Sequence, residues 1–329
     1  MNAPPQETPL VSIVLPTYNR ADLLPYSIHS VLNQTYQNLE LIIIDDHSND
    51  ETEAVIKGFH DERIKYTRNE SNLKLPRSLN KGFSLSKGAC LTWTSDDNRY
   101  TDTAIERMVE YIREMNCEFV FADYYHFSEL DKHTGEPLNP RHMKLPDQQQ
   151  LQRSNQVGAC LMYTRKVYEE IGDYDPELFL VEDYDYFIRI SKSFHMCHIN
   201  EPLYYFSRHD QSLYTSRFCE VKASDILVRY KNRLLDKREA LDTTVDLILR
   251  NSEMINNLLL RSGFHITSKI SYRLSLFFRK AVSRYLSHKL GKNLFSTIDA
   301  YDAGNIAFKE ARDRLSNLLQ GIIRLQYSE

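Results

Sequence analysis

The chain has 329 residues, enough for one large domain or two domains of ordinary size. Hydrophobic residues make up 42% and charged residues 26%, a balance that excludes a fibrous or mostly disordered protein. Its 41 Lys and Arg against 45 Asp and Glu leave a net charge of -4, so we expect no nucleic-acid partner. The N-terminal residues 1–9 resemble neither a signal peptide nor a membrane anchor and predict a flexible tail on a cytoplasmic protein.

Five cysteines lie far apart, at positions 90, 117, 160, 197 and 219. No two of them have the spacing of a C-x-x-C redox pair or a zinc site. Because most of them lie within apolar runs, we interpret them as small core residues in a reducing compartment. The sequence therefore predicts neither a disulfide nor structural zinc.

Short apolar runs alternate with helical patterns through the first two thirds of the chain. Residues 11–15 and 39–44 are predicted strands, and residues 21–34 carry apolar side chains at helical spacing. Such a unit predicts a βαβ element in a largely parallel sheet that is covered on both faces. Further helices are predicted at 52–58, 76–86 and 101–115, and further strands at 64–66, 90–94 and 118–122.

The second half of the chain changes character twice. Residues 131–156 are rich in Pro, His, Gln and Asn without any apolar period, which predicts a long functional loop. Strands at 157–163, 196–199 and 203–206 and helices at 166–172 and 184–193 follow. Beyond residue 215 the pattern is helical, with predicted helices at 218–236, 241–261, 268–290 and 303–325. We therefore expect an α/β domain over residues 10–215 and an α-helical region over residues 216–329.

Paired acids follow two of the predicted strands, Asp45-Asp46 after the second and Asp96-Asp97 after residues 90–94. The carboxyl ends of parallel strands meet at one edge of a sheet, where ligands bind. Adjacent carboxylates repel each other unless a cation lies beside them. Mg²⁺ or Mn²⁺ would bind to their oxygens together with the oxygens of a nucleotide diphosphate. The alternative is a structural role for both pairs. Asp96-Asp97 would then form an ordinary turn, and Asp45-Asp46 would belong to a turn in which Ser48 or Asn49 caps the next helix.

The exit of the first strand, Pro16-Thr17-Tyr18-Asn19-Arg20, contains no glycine. An aromatic ring and backbone groups at this position suit stacking on a nucleobase, and a plain strand-exit turn is the alternative. The chain has no G-x-G-x-x-G after this strand and no G-x-x-x-x-G-K-[ST] anywhere. These absences argue against dinucleotide oxidoreductases and P-loop enzymes.

A third acidic cluster, Glu182, Asp183 and Asp185, begins a predicted helix. Carboxylates at a helix N-terminus are stabilised by the helix dipole, so a purely structural role is one interpretation. The other is catalytic, because an ionised carboxylate in a cleft can deprotonate a hydroxyl nucleophile.

Taken in order, VSIVLPTYNR, LELIIIDDHSNDET, TSDDN and FLVEDYDYFIR resemble glycosyltransferase family 2, and Arg208-His209-x-x-Ser212 is similar to a further element of that family. The resemblance covers residues 10–215. It implies a GT-A fold, with a mixed sheet and helices on both faces, and an inverting, metal-dependent glycosyltransferase of the hexosyltransferase type. The donor would be a nucleotide-diphospho-sugar, first of all a UDP-sugar, and the acceptor a hydroxyl of a glycan or lipid-linked molecule in cell-surface polysaccharide or glycan synthesis.

The resemblance also implies a role for individual residues. Asp183 would be the general base, and Asp97 would coordinate Mn²⁺ or Mg²⁺ with His209 completing the metal shell. The donor-binding residues would be Pro16, Thr17, Tyr18, Arg20, Asp46, Arg77, Asp96 and Glu182. The chain reads Ser95-Asp96-Asp97 where many relatives have an Asp-x-Asp triplet.

Two other functions remain open from the sequence. A sugar nucleotidyltransferase uses similar paired acids but normally has a Gly-rich basic loop after the first strand. A noncatalytic sugar-nucleotide-binding protein would need no base at Asp183.

The C-terminal region has a strongly basic segment, with eight Lys or Arg and no acid between Glu253 and Asp299. Apolar residues alternate with these cations at helical spacing, so residues 264–295 predict a basic amphipathic helix. Such a helix can lie on the anionic inner face of a membrane, where a lipid-linked acceptor is available. Packing on the catalytic domain and a homo-oligomer interface are the alternatives.

Overall fold

The computed structural model describes residues 8–131, 135–146, 151, 153–208, 212–251 and 269–323. The chain forms two compact units, Met1–Ser212 and Leu213–Glu329. Most of the predicted flexible tail lies outside the described residues. Its last two residues are anchored, because Asn38 Nδ2 donates to the carbonyl oxygen of Thr8 at 2.7 Å and the Tyr36 hydroxyl donates to that of Pro9 at 2.5 Å.

The first unit is an α/β domain around one sheet. Its strands are β1 (Val11–Thr17), β2 (Leu39–Asp45), β3 (Ile64–Arg68), β4 (Cys90–Trp93), β5 (Arg99–Tyr100), β6 (Phe119–Phe127), β7 (Arg141–Met143), β8 (Cys160–Thr164) and β9 (Met196–Ser207). Its helices are α1 (Leu24–Leu32), α2 (Thr52–Lys57), α3 (Leu75–Leu85), α4 (Ala104–Met115), α5 (Arg165–Ile171) and α6 (Glu182–Ser191).

The strands lie in the order β3-β2-β1-β4-β8-β6-β9-β5, and β7 pairs with the outer part of β6. We call β3-β2-β1-β4 the parallel half, because all neighbours in it run parallel. We call β8-β6-β9-β5 with β7 the mixed half, in which β8 is antiparallel to both β4 and β6 while β9 is parallel to β6. The predicted α/β class and mixed sheet are therefore confirmed.

Helices cover both faces of the sheet, since consecutive strand residues point to opposite sides. On one face Ile13 of β1 belongs to the apolar core formed with α1, α2 and α4. On the other face α3 lies so close to β1 that a Cβ added at Gly82 would lie 2.3 Å from a methyl carbon of Val14. Glycine at this position is what allows the close approach.

Two predictions for the first unit were wrong in part. Residues 131–156 are not a continuous loop, because β7 pairs with β6 through the register Tyr125↔His142. Contrary to the prediction for the cysteines, Cys117 and Cys197 form a disulfide. The parallel pairing of Val120 with Cys197 brings these distant segments together, which the spacing of 80 residues could not reveal.

The second unit is helical in its described residues, with helices α7 (Leu213–Ser216), α8 (Phe218–Lys231), α9 (Lys237–Asn251), α10 (Lys269–Asp302) and α11 (Phe308–Ile323). The predicted break near residue 290 was wrong, since α10 continues to Asp302 and the turn follows at Gly304, which has φ 68°. Within the described parts of the chain, none of the helices is long and apolar enough to cross a membrane.

Candidate active site

The exits of β1, β2 and β4 meet at one edge of the sheet, as the sequence predicted. The parallel registers Thr17↔Asp45 and Val14↔Trp93 fix this alignment. Buried Thr17 donates its hydroxyl to Asp96 Oδ2 at 2.8 Å, which joins the first strand directly to the paired acids after β4.

Asp96 is partly buried in this edge and has an unusual acidity. Its Oδ2 atom also accepts the Tyr18 amide at 3.3 Å. Burial, followed by the neighbouring charge of Asp97, raises the pKa of Asp96 to about 7, although the hydrogen bond from Thr17 opposes the shift. A carboxylate with this pKa gains stabilisation whenever positive charge is placed beside it.

The β1 and β2 exits are tied to each other by backbone amides. The Asn19 amide donates to Ser48 Oγ at 2.9 Å, and the Asn49 amide donates to Asn19 Oδ1 at 2.7 Å. Neither Ser48 nor Asn49 caps α2, contrary to that prediction: Asp50 Oδ1 instead accepts the Thr52 amide at 3.1 Å. The two exits therefore form one rigid wall of the site.

Asp46 organises the loop that leads into α3. Its Oδ1 accepts the Leu73 amide at 2.7 Å and Asn69 Nδ2 at 2.9 Å, and its Oδ2 accepts the Lys74 amide at 2.9 Å. A carboxylate offers about four lone-pair sites, so Asp46 retains one for a ligand. The structure thus gives this acid a structural role in addition to the binding role that the resemblance implies.

The remaining donor-side residues differ in exposure. Pro16 is buried within β1, whereas the Tyr18 side chain is 43% exposed at the edge. The Arg20 amide donates to Thr52 Oγ1 at 3.3 Å. Arg77, on the first turn of α3, forms an exposed ion pair with Glu177, with 3.0 Å between Nη2 and Oε1.

Glu182 and Asp183 form the first turn of α6, as predicted. Burial, followed by the charge of Asp183, raises the pKa of Glu182 to about 8, so this side chain is mostly protonated at neutral pH. Glu182 Oε2 accepts the amide of Leu180 at 2.8 Å. Leu180 has φ 90°, a conformation that costs a non-glycine residue about 1–3 kcal/mol and is often found at functional sites.

Asp183 is held by a residue that the sequence analysis missed. Asn155 Nδ2 donates to Asp183 Oδ2 at 2.9 Å, and the Val157 amide donates to Asn155 Oδ1 at 3.2 Å. The Val157 amide, in the same loop, thereby fixes the orientation of the Asn155 side chain. No local pattern marks Asn155, since it lies in the irregular segment before β8.

The same segment connects Asp183 to the exit of β4. Strand β8 begins at Cys160, five residues after Asn155, and runs antiparallel to β4. The Thr92 hydroxyl donates to the Leu161 carbonyl oxygen at 2.5 Å, so the start of β8 lies beside the end of β4. Asn155 therefore links the acids of α6 to the edge that carries Asp96 and Asp97.

A second group that the sequence did not predict surrounds Asp123 on β6. This buried carboxylate forms a hydrogen bond of 2.8 Å with Nε2 of His142 and another of 2.8 Å with Nε2 of His198. It also accepts the Leu145 amide at 2.8 Å. These hydrogen bonds lower the pKa of Asp123 against the effect of its burial. The group fixes the segment after β7.

The donor set at Asp96 and Asp97 fits a divalent cation that is shared with a substrate. The described residues contain no cluster of three His, Cys, Asp or Glu side chains able to hold a metal ion by themselves. Mg²⁺ typically uses one or two carboxylates and completes its shell with phosphate oxygens and water. Burial is the main cause of the raised pKa of Asp96 and the charge of Asp97 the second, and a cation beside the carboxylates would offset both effects. His209, the other predicted ligand, lies outside the described residues.

Comparison with known sequences supports the interpretation of these motifs. Residues 12–172 match Glycosyl transferase family 2. An uncharacterized glycosyltransferase of Haemophilus influenzae is 26% identical over 256 residues, 75% of this chain and 85% of that protein. The putative teichuronic acid biosynthesis glycosyltransferase TuaG of Bacillus subtilis is 32% identical over 133 residues, 40% of this chain and 51% of TuaG.

Solved structures share the fold at low sequence identity. S. aureus TarS 1–349 in complex with UDP-GlcNAc has a TM-score of 0.52 at 15% identity and aligns over 97% of this chain and 93% of that one. The mannosyltransferase PcManGT of Pyrobaculum calidifontis in complex with GDP-Man and Mn²⁺ has a TM-score of 0.55 at 13% identity, over 87% and 88%. At such identities the likeness establishes the GT-A-like fold.

The family match and the similar proteins together define a glycosyltransferase. More specifically, residues 12–172 belong to glycosyltransferase family 2. This membership favours the glycosyltransferase interpretation over the nucleotidyltransferase and the noncatalytic binding protein.

Proposed function

We propose that this protein is an inverting glycosyltransferase that moves a sugar, of the hexosyl type, from a nucleotide-diphospho-sugar to a hydroxyl acceptor. The observation that carries the proposal is the connection through Asn155 between Asp183 and the edge that holds Asp96 and Asp97. In this proposal, Asp183 is the carboxylate base on one side of a cleft and Asp96 and Asp97 form the site for the diphosphate on the other. Single displacement at a sugar carbon needs both.

Asp183 is the general base in this mechanism. It takes the proton of the acceptor hydroxyl while the oxygen attacks the anomeric carbon from the face opposite the leaving nucleotide, so the configuration inverts. Asn155 Nδ2 holds Asp183 Oδ2 at 2.9 Å and the Tyr184 amide holds Oδ1 at 2.6 Å, so the carboxylate is fixed in place while each oxygen keeps a lone pair for the acceptor proton. Protonated Glu182 adds no second full charge beside the base at neutral pH, because its pKa is raised to about 8.

The donor occupies the parallel half of the sheet. Tyr18 and Asp46 hold the base, with Pro16, Thr17 and Arg20 forming the wall around them, and Asp96 faces the ribose or phosphate. Arg77 reaches the base or phosphate after leaving its ion pair with Glu177, which is exposed and therefore weak. We propose UDP as the nucleotide, supported by the UDP-GlcNAc complex of TarS, with GDP as the alternative that PcManGT suggests.

A divalent cation, Mn²⁺ or Mg²⁺, would be held by Asp97 and the donor diphosphate, with His209 as a further ligand. Bound there, it stabilises the negative charge that grows on the leaving nucleotide. Asp96 stays beside this charge through its hydrogen bonds from Thr17 and Tyr18. The Mn²⁺ bound by PcManGT supports the choice of metal.

The acceptor belongs to cell-surface polysaccharide or glycan synthesis in this proposal, supported by the similarity to TuaG. A lipid-linked acceptor would place the protein on the inner face of the membrane, with residues 264–295 in contact with lipid. Residues 264–268 lie outside the described part of the chain. Exposed Lys289 and Lys292 of α10 allow a direct test: replacing both by Glu should reduce co-sedimentation with anionic vesicles at low salt.

The nucleotide can be tested directly because the chain contains a single tryptophan, Trp93, three residues before Asp96. UDP, GDP and TDP are each added with and without Mn²⁺ while Trp93 fluorescence and the thermal unfolding midpoint are followed. A ligand at 100 times its dissociation constant stabilises the folded state by about 2.7 kcal/mol. We expect UDP with Mn²⁺ to give the largest rise in midpoint, and slow metal-dependent hydrolysis of a UDP-sugar without acceptor. A chain that no nucleotide stabilises would refute the proposal.

A further inference from the structure

A surface hollow of about 360 Å³ lies where β6 and β9 end in the mixed half of the sheet. Three of the side chains around it are basic: His126, Arg141 and Arg208. The other lining residues are Phe127, Ser128, Glu129, Leu138 and Asn139. The sequence analysis assigned no function to His126, Arg141 or the hollow itself.

Strand pairing brings the three basic residues together from separate parts of the chain. His126 on β6 lies directly opposite Arg141 on β7. On its other side His126 pairs with Phe206 of β9, two residues before Arg208. The Arg208 amide donates to the Phe127 carbonyl oxygen at 2.8 Å, so the start of this segment is held against β6. The cations therefore converge through the sheet itself.

The guanidiniums of Arg141 and Arg208 have no ion-pair partner among the described residues, which do not include Asp210. Glu129 is the one acid among the described residues that line the hollow. Elsewhere in the same unit, Arg63, Arg107 and Arg189 are ion-paired. Burial, followed by the charges of Arg208 and Arg141, lowers the pKa of His126. The described lining therefore has two arginines against one acid, an excess of positive charge that suits an anion.

The hollow lies next to the sheet edge that carries Asp96 and Asp97, on the side away from the wall formed by the β1 and β2 exits. Ser207, which precedes Arg208, donates its amide to Asn98 Oδ1 at 2.8 Å, and Asn98 follows Asp97 directly. The wall belongs to the parallel half, whereas the hollow belongs to β6, β7 and β9. A ligand in the hollow would thus approach the same cleft from the opposite end.

We propose that this hollow binds a phosphate group of the acceptor and so delivers the acceptor hydroxyl to Asp183. The inference rests on the proposed function and names the acceptor class: a phosphorylated glycan or polyol, or a lipid-linked phosphate. Guanidiniums bind phosphate through paired N–H donors, and two of them, one on β7 and one directly after β9, can contact different oxygens of one tetrahedral group. His126 contributes an additional ring nitrogen from between them.

The test uses the full chain and the His126 imidazole as a local reporter. The protein is labelled with ¹³C-histidine, and the His126 resonance is identified by its loss in His126→Gln. Inorganic phosphate, dimethyl phosphate and acetate are titrated at constant pH and ionic strength, first without nucleotide and then with saturating UDP and Mg²⁺, which is diamagnetic and does not broaden the resonance. We expect a saturable shift with both phosphates, and an affinity at least about tenfold weaker in Arg141→Ala because a charge-assisted hydrogen-bond pair is lost.

The control is Arg238→Ala, which removes an exposed arginine from α9 in the other unit and should leave the phosphate response unchanged. Four results would each overturn the proposal: no saturable shift, a response to acetate alone, an equal response in Arg141→Ala, or loss of the response when UDP binds. The outcomes remain separate from the proposed function, since nucleotide binding is read from Trp93 fluorescence. A stronger response to dimethyl phosphate than to inorganic phosphate identifies a phosphodiester acceptor, and the reverse a terminal phosphate.

Discussion

The parallel and mixed halves of the sheet hold their carboxylates through partners of different origin. In the parallel half, Asp46 accepts two backbone amides and Asn69 Nδ2, and Asp96 accepts one backbone amide and the Thr17 hydroxyl. On the side of the mixed half, Asp183 on α6 accepts the Tyr184 amide and Asn155 Nδ2, and Asp123 accepts the Leu145 amide and forms hydrogen bonds with two histidines. All four carboxylates therefore combine backbone and side-chain partners. What differs is the origin of the side-chain partners: Thr17 ends a strand that the sequence predicts, whereas Asn155 and His142 belong to a segment that only distant pairing orders.

The largest effect should come from the proposed base Asp183, on α6. Asp183→Asn keeps the size of the side chain but cannot accept a proton, so we expect transfer to fall by about 10²–10⁴-fold, the usual contribution of a general base. UDP binding, measured by Trp93 fluorescence, should stay nearly unchanged. Asp173→Asn, an exposed acid outside the cleft, is the control. Loss of nucleotide affinity in Asp183→Asn with transfer retained would contradict the assignment.

In the parallel half, Asp46 should matter for stability as well as binding. Asp46→Ala leaves Asn69 Nδ2 and the amides of Leu73 and Lys74 without their acceptor. We expect a loss of about 3 kcal/mol in the free energy of unfolding, since each such hydrogen bond contributes about 1 kcal/mol or more. Urea unfolding followed by Trp93 fluorescence measures it. Asp46→Asn retains one acceptor oxygen and should lose less; equal losses in both variants would argue against this hydrogen-bond account.

The buried pair on α6 predicts a pH dependence of stability. Because the pKa of Glu182 rises from its ordinary 4.5 to about 8 on folding, the folded state binds more protons than the unfolded state between these values. Stability from this group is complete below the ordinary pKa and is lost as pH rises through about 8. The unfolding free energy should fall by about 2 kcal/mol between roughly pH 5.5 and 7.5.

Glu182→Gln should flatten this dependence, because glutamine does not titrate. Glu114→Gln, which changes an exposed glutamate on α4, should keep the wild-type slope. Unfolding free energies from urea titrations at several pH values compare the three proteins. An unchanged slope in Glu182→Gln would mean that other groups cause the dependence.

The smallest effect on stability should come from the exposed ion pair between Arg77 and Glu177. Either alanine variant should change the unfolding free energy by less than about 1 kcal/mol, because solvent screens exposed pairs. Only Arg77→Ala should weaken UDP binding, since the proposal gives Arg77 a contact with the nucleotide. Isothermal titration of both variants distinguishes the two residues, and equal UDP affinities would remove Arg77 from the donor site.

The sequence predicted the parallel half well because local patterns determine it. Apolar runs such as the one before Asp45 mark buried parallel strands, and polar groups at their ends must meet at one edge. Glu182 and Asp183 were likewise placed correctly at a helix start. The local pattern did not predict the hydrogen bonds within the loops. The first amide of α2 donates to Asp50 rather than to Ser48.

The mixed half resisted prediction because its elements depend on distant partners. β7 has three residues and no apolar period, so nothing in the segment marks it as a strand before β6 is present. The pairing of Cys117 with Cys197 and the contact of Asn155 with Asp183 arise in the same way. In the second unit, the continuation of α10 past residue 290 was missed because Gly291 falls inside the helix.

The central claim is that Asp97 and Asp183 face each other across one cleft that holds the donor. A crystal structure of Asp183→Asn grown with UDP and Mn²⁺ addresses it most directly. We predict the uracil against Tyr18 and Asp46, the diphosphate and metal at Asp97, and residue 183 pointing at the open side of the diphosphate where the sugar would lie. A nucleotide bound elsewhere, or residue 183 turned away from it on the far side of the sheet, would contradict the account.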